Sequence, residues 1–253
     1  MVSKREEVRQ FWDERARQYT TSSQSTLCEV PLRELEIGAI LKYLQDGMKV
    51  LDVGCGNGYS TIKFWEHRRL DIIGMDFSPE MVKYAKENLK ACDRRDPQRG
   101  KVGFIEGDVL QLPFPAARFD AVVTERCLQN LGSWEEQRQA ILNTASVLKP
   151  RGFFLMAECS FTGLDRLARF LNLLGKKEPE GVVPWHNLFF CDALVLNDPL
   201  IRKVLIPVKV NNFASAYTLI TRTLPASWHL LARYCPNIGG FGYNKLYVWR
   251  RRE

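Results

Sequence analysis

No two cysteines stand at C-x-x-C spacing in this chain of 253 residues. The seven present, Cys28, Cys55, Cys92, Cys127, Cys159, Cys191 and Cys235, are scattered singly. An odd, dispersed set excludes a disulfide framework and the ligand spacing of a zinc site, so a reducing, cytoplasmic setting without a structural metal is expected. Long apolar runs are also missing. No stretch approaches the roughly 18–20 uninterrupted apolar residues that span a bilayer. The opening Met1-Val2-Ser3-Lys4-Arg5-Glu6-Glu7 holds no apolar segment of signal type, which supports the same cytoplasmic expectation. Histidine is scarce, with His67, His186 and His229 the full set. Repeats, low-complexity tracts and a basic stripe interleaved with aromatics are absent too.

What charge there is runs positive: 36 Lys and Arg against 29 Asp and Glu, a net +7. It is spread over small clusters, Arg68-Arg69, Arg94-Arg95 and Arg250-Arg251-Arg252. That distribution reads first as a solvated basic surface and second as a surface for an anionic acceptor or partner. A nucleic-acid partner is not expected, because no RNA-binding module is recognisable.

The periodicity predicts an α/β chain. Val8, Phe11, Trp12 and Ala16 share one face of a helix from Glu6 to Tyr19, and Leu35, Ala39, Leu41 and Leu44 mark a second. Short apolar runs follow at Lys49–Val53, Asp71–Met75, Val102–Glu106, Phe119–Thr124 and Phe153–Glu158. Helical stretches separate most of them, at Tyr59–Glu66, Ser78–Ala91 and Glu135–Leu148. Ser78 suits an N-cap and Pro79 the first helical position. Strands alternating with helices of this length imply a doubly wound parallel sheet with right-handed crossovers. Two late strands, Val204–Val210 and Lys245–Trp249, flank an aromatic, partly helical insertion from Phe213 to Tyr234. A helix from Leu164 to Leu174 and a loop from Lys176 to Asn187 precede them. One domain, 1–253, is expected, with cap helices in 1–46, a cofactor-binding core in 47–160, and an acceptor lid with the final strands in 161–253.

Chemistry concentrates at three strand ends. The first carries Asp52-Val53-Gly54-Cys55-Gly56-Asn57-Gly58, where glycines let backbone approach a ligand closely. Its G-x-G-x-G spacing differs from the dinucleotide G-x-G-x-x-G. Asp52 would repel a pyrophosphate but suits the ammonium group of a methionine moiety. The second end carries Asp76, placed to accept both hydroxyls of a ribose, or else an ordinary turn aspartate. Phe77 and Met81 then lie on the adenine side, though core packing explains Phe77 equally. The third carries Gly107-Asp108-Val109, where the Asp108 side chain and the Val109 N–H could read the amino edge and ring nitrogen of adenine.

Together these residues resemble the class I S-adenosylmethionine-dependent methyltransferases. The resemblance runs through L-D-V-G-C-G-N-G, I-I-G-M-D-F-S-P-E-M, G-D-V-L-Q-L-P-F-P-A-A-R-F-D-A-V and S-V-L-K-P-R-G-F-F-L-M-A-E, from about Val50 to Glu158. It implies a Rossmann-like seven-stranded sheet whose last strand is antiparallel, with S-adenosyl-L-methionine over the glycine turn. Gly54, Cys55, Gly56 and Gly58 are then cofactor-binding, with Tyr19 as the contact from an N-terminal cap helix. Arg151 departs from the family, which often has a second glycine there. A narrower resemblance, to a bacterial subgroup associated with surface-polysaccharide and sugar modification, rests on Thr124–Leu131, Pro184–Phe190 and Tyr217–Arg222. The final lid, Thr223 to Gly242, is shorter than in those relatives.

The expected reaction is O-methylation of a small polar acceptor, such as a sugar or polysaccharide precursor. RNA or a secondary metabolite is the alternative acceptor, and a non-catalytic cofactor-binding protein the alternative role. An alcohol acceptor needs a base for its proton. His186, between Trp185 and Asn187, is the candidate, and a packed loop histidine the competing reading. Glu125 and Arg126 follow the fourth strand, where the family places cofactor and acceptor contacts; a plain ion pair explains them equally. Asn130, Glu158, Trp185, Asn187, Tyr217 and Arg222 complete the expected acceptor set.

Overall fold

A computed structural model of the chain describes residues 3–92, 100–176, 183–225, 234 and 240–253. His229 and Cys235 lie outside the described residues. Seven strands form one sheet in the order β3-β2-β1-β4-β5-β7-β6. They are β1 (Lys49–Val53), β2 (Asp71–Asp76), β3 (Val102–Glu106), β4 (Phe119–Glu125), β5 (Leu148–Cys159), β6 (Leu205–Asn211) and β7 (Asn244–Arg251). The first five pair in parallel, and β7 runs antiparallel to both β5 and β6. The doubly wound sheet and the antiparallel last strand agree with the sequence-based expectation.

The helices are α1 (Lys4–Tyr19), α2 (Val30–Leu41), α3 (Tyr59–His67), α4 (Pro79–Lys90), α5 (Trp134–Val147), α6 (Phe161–Leu173), α7 (Asp192–Asn197), α8 (Pro199–Val204) and α9 (Ser215–Thr223). Their starts are written in the sequence. Ser78 Oγ accepts from the Met81 N–H, Ser133 from Glu136 and Ser160 from Gly163, each satisfying a donor the helix leaves free. Pro79 needs no such partner at the first turn. Among the described residues, no helix is long and apolar enough to cross a membrane.

Alternation along the central strands builds a core on each side of the sheet. Phe154, Met156, Tyr247 and Trp249 face one side, with Ile141 and Ala145 of α5 and Ile201 of α8. Leu155, Ala157, Leu246 and Val248 face the other, with Ile37 and Ile40 of α2 and Phe64 and Trp65 of α3. Each such side chain contributes about 1.5–3 kcal/mol on burial. The sheet is thus rigid where its order reverses, between β1 and β4, and ligands of such sheets bind beyond the carboxyl ends at that point.

Arg151 stands in β5 with φ +64°, the left-handed region that favours glycine. Its side chain is paired on the surface with Glu253 at 2.6 Å. The departure from the family's glycine therefore leaves backbone strain, far from the sheet's ligand-binding edge.

Candidate active site

An open-mouthed cavity of about 1070 Å³, its entrance included, lies over the carboxyl ends of β1, β2 and β4. Gly54, Cys55, Gly56 and Asn57 form its floor, Asp76, Phe77, Met81, Asp108 and Val109 one side, and Glu125, Arg126, Cys127, Asn130 and Leu131 another. The turn demands its glycines. Gly54 has φ +74°, and a Cβ there would lie 2.5 Å from Cys127 Cβ and Sγ. At Gly56, φ +54°, a Cβ would lie 2.5 Å from Thr26 Cγ2. Gly58, φ +77°, forms the N-cap of α3.

Asp76 bridges the turn: Oδ2 accepts from the Gly56 N–H at 2.8 Å and Oδ1 from the Ser78 N–H at 2.9 Å. Burial pushes its carboxyl up to about 6, against the pull of those two donors. Asp52 lies beneath the floor and does not line the cavity. Its Oδ2 accepts from Thr61 Oγ1 at 2.5 Å, while Oδ1 has no hydrogen-bond partner among the described residues. Glu125 Oε1 is likewise buried and unpartnered. Burial raises both carboxyls well above the usual range, with repulsion from Asp76 and Glu36 adding at Asp52 and from Glu36 and Asp52 at Glu125. Buried acceptor atoms without donors are costly, and at Glu125, which lines the cavity, a ligand cation would relieve that cost.

Arg126 forms an ion pair with Glu36 of α2. Burial opposes its charge, but Glu36 and Glu125 more than offset that and hold its pKa above the ordinary value. Its backbone is left-handed, φ +51°, pinned by a 2.7 Å bond from its N–H to Ala157 O. Asn130 is fixed as well: its Nδ2 donates to Arg126 O at 2.7 Å and Cys127 O at 3.1 Å, and its Oδ1 accepts from Trp12 Nε1 at 3.3 Å.

The remaining expected site residues fall elsewhere. Tyr19 is off the cavity wall, its ring beneath the Arg15 guanidinium at 4.8 Å. The cavity face of α1 is instead Arg5, Val8, Arg9 and Trp12. These stand at i, i+3, i+4 and i+7, so the helical period that marked Val8 and Trp12 also marks the two arginines. Glu158 does not face an acceptor. Its carboxylate accepts the N–H groups of Cys127, Leu128 and Gln129 at 3.0–3.2 Å, closing a short 3₁₀ turn at Leu128–Asn130. Tyr217 donates to Glu29 Oε2 at 3.1 Å, and Arg222 donates to the Tyr243 hydroxyl at 3.4 Å, both away from the cavity.

His186 is also one layer behind the wall. It is 6% exposed, with its ring 4.5 Å from Phe11 and 5.5 Å from Trp12. Trp185 lies edge-on at 5.3 Å and is largely solvent-facing. Burial pushes the imidazole down to about 4, so it is neutral near pH 7. His186 Nδ1 and Asn187 Oδ1 are buried without hydrogen-bond partners among the described residues. Trp12 stands between this cluster and the cavity, so His186 reaches a substrate there only if α1 shifts.

Residues 50–152 match the methyltransferase domain family. The match takes in β1 to β4 and the glycine turn at the sheet's switch point, about two-fifths of the chain. At the level of named relatives, the chain is 28% identical to an O-methyltransferase of Pyrenophora dematioidea over 61% of this chain and 51% of that one. It is 30% identical to 27-O-demethylrifamycin SV methyltransferase of Amycolatopsis mediterranei, over 66% and 61%. It thus spans about half to three-fifths of the length of these relatives. Among solved structures, phosphoethanolamine N-methyltransferase 1 of Haemonchus contortus, with S-adenosylhomocysteine, superposes with a TM-score of 0.66 at 18% identity. That match covers all of this chain and 50% of the other, and shows the shared fold.

Proposed function

We propose that this chain transfers the methyl group of S-adenosylmethionine to a hydroxyl of a small ring-shaped molecule, with a sugar or sugar-containing precursor as the leading acceptor class. The observation that carries the first half is the convergence of three strand ends on one cavity. The turn at Gly54 and Gly56 admits no side chain, since a Cβ at either would collide with Cys127 or Thr26. Asp76 would take the ribose hydroxyls, Asp108 and the Val109 N–H the adenine edge, and Glu125 the ammonium group, with Asp52 acting only from beneath the floor. The unpartnered carboxylate oxygen of Glu125, on the cavity wall, suits that cation. Bound S-adenosylmethionine supplies a methyl group on a cationic sulfur that leaves as a neutral thioether. The protein's task is then to align an oxygen with that carbon and to receive a proton.

Oxygen as the acceptor atom is supported by the names of the two relatives. The ring-shaped acceptor is supported by the aromatic group of Phe11, Trp12 and Trp185 beside the cavity, since apolar ring faces stack on such side chains. His186, neutral and with a buried, unpartnered Nδ1, is the proposed proton acceptor, acting when a shift of α1 moves Trp12 aside. The secondary-metabolite reading shares this geometry and differs in the acceptor pool alone.

The test is calorimetric titration with S-adenosylhomocysteine, followed by methyl-transfer assays on sugar, metabolite and RNA pools. Absent binding overturns the proposal, and binding without turnover on any pool favours a non-catalytic binding protein. His186→Gln is expected to cut turnover at least tenfold while leaving S-adenosylhomocysteine affinity within about twofold, the general-base contribution being about 10²–10⁴. Unchanged turnover removes His186 as base.

A further inference from the structure

Phe77 and Asp108, the side chains assigned to adenine, are engaged by an arginine of the chain itself. Arg5, in the first turn of α1, holds its guanidinium carbon 5.2 Å from the centre of the Phe77 ring. Its Nη2 lies 2.5 Å from Asp108 Oδ2. Asp108 Oδ1 is committed locally, accepting the Leu110 N–H at 2.9 Å. The oxygen left for a ligand's donor is therefore the one Arg5 occupies. Arg9, one helical turn on, approaches the same ring at 5.8 Å.

A guanidinium resembles the amino edge of adenine in what matters here. Both are planar and delocalised, both carry N–H donors at the rim, and both stack on aromatic faces. They cannot share the site. Optimal contact between stacked atoms is about 3.5 Å, so a base sandwiched between Phe77 and Arg5 would need about 7 Å between them. The observed 5.2 Å admits one planar group. We propose that Arg5 is an internal ligand of the adenine subsite, holding Phe77 and Asp108 in the free protein and exchanged for the base when cofactor enters. This rests on the reading that Asp108 and Phe77 receive adenine.

The exchange needs little movement. Arg5 is the second residue of α1, and the other ties of this helix lie further along it. Asp13 meets Ser78 Oγ at 2.5 Å, Trp12 meets Asn130, and Arg17 meets Glu80 at 3.6 Å. Fraying of one turn, or a new rotamer of Arg5, frees the site while the rest of the cap stays seated. The Arg5–Asp108 pair is partly exposed, at 35% and 23%, so its competition is modest and salt-sensitive.

Calorimetry with S-adenosylhomocysteine on the full chain tests this through Arg5→Ala, Arg17→Ala and Asp108→Asn. Arg5→Ala is expected to bind about three- to tenfold tighter, from the loss of one exposed ion pair and one cation–π contact. The ligand has no net charge at neutral pH. Raising salt from about 20 to about 300 mM should therefore tighten binding to the wild-type protein and leave Arg5→Ala flat. Equal or weaker binding by Arg5→Ala overturns the proposal, and so does equal tightening by Arg17→Ala, which would mean general loosening of the cap. In the Arg5→Ala background, where no arginine competes, Asp108→Asn is expected to weaken binding, and undiminished binding there overturns the adenine assignment beneath the proposal. Absence of binding in every folded variant and in the wild type overturns the cofactor reading instead.

Discussion

Two residues with left-handed backbone meet different fates. Arg126, φ +51°, is held by Glu36 and by Ala157 O at the cavity wall, where its guanidinium is part of the site. Arg151, φ +64°, has a surface pair with Glu253 and nothing else that rewards the strain. The left-handed penalty for a residue with a Cβ is about 1–2 kcal/mol, partly offset by the extra entropy glycine loses on folding. Arg151→Gly is therefore expected to stabilise the protein by about 0.5–1 kcal/mol, read as a higher urea midpoint at unchanged slope. A lower midpoint would mean that the Glu253 pair outweighs the backbone. At this same scale the sequence misled in a consistent way. Glu158, Tyr217 and Arg222 carry polar groups that a motif assigns to an acceptor, yet each is committed to a partner of the chain's own. Such partners are set by folding, as when Glu158 accepts N–H groups 29–31 residues away, and spacing along the chain does not display them.

Among the elements, α1 decides how the cavity is covered. Buried Asp13 ties its middle to Ser78, the residue that also caps α4. Removing it leaves a buried hydroxyl without that partner, at a cost of about 1–2 kcal/mol. Asp13→Ala should raise hydrogen exchange of the α1 amides by about tenfold or more while α5 stays protected. Equal loss of protection in both helices would mean that the cap unfolds only with the whole domain. Elements β1, β2 and β3 were readable because short apolar runs stop at Asp, Gly or Glu, where the chain turns to its ligand edge. Helices α7 and α8 were not. Each has six residues, fewer than two turns, too short for a 3.6-residue period to register. The cap face of Arg5 and Arg9 was legible as spacing but not as chemistry, since Arg5 meets Asp108 across 103 residues.

Across the whole molecule, buried carboxyls make stability and ligand affinity respond to pH in opposite directions. Burial raises Asp76 to about 6 and Glu158 to about 7, and lifts Asp52 and Glu125 well above the ordinary range. Unfolding returns all four to near 4, so the folded chain holds more protons between those values. Their stabilising contribution is full below about pH 4 and is lost as pH rises through the folded values. The Tm of the free protein is expected to fall by at least about 4 °C between pH 5 and 8, each kcal/mol being worth about 2–4 °C at this size. S-adenosylhomocysteine should bind more tightly over the same interval, because its ammonium and ribose donors favour the ionised carboxylates. A Tm that is level across this range would count against the buried charges, and affinity that weakens with pH against the assignment of Asp76 and Glu125.

Among the described residues the cavity wall ends at Leu131, and none of its lining side chains comes from the final 122 residues. The two halves of the chain meet through the sheet, where β5 pairs with β4, and through the tilted and edge-on contacts of Phe11 and Trp12 with His186. On the proposed reading, cofactor grip belongs to the first stretch, while the acceptor face combines Phe11 and Trp12 of that stretch with Trp185 and His186 of the second. Exchange of α6 through α9, with the β6 and β7 pairing kept, is a route by which such a scaffold can change clients while its methyl donor site stays as inherited.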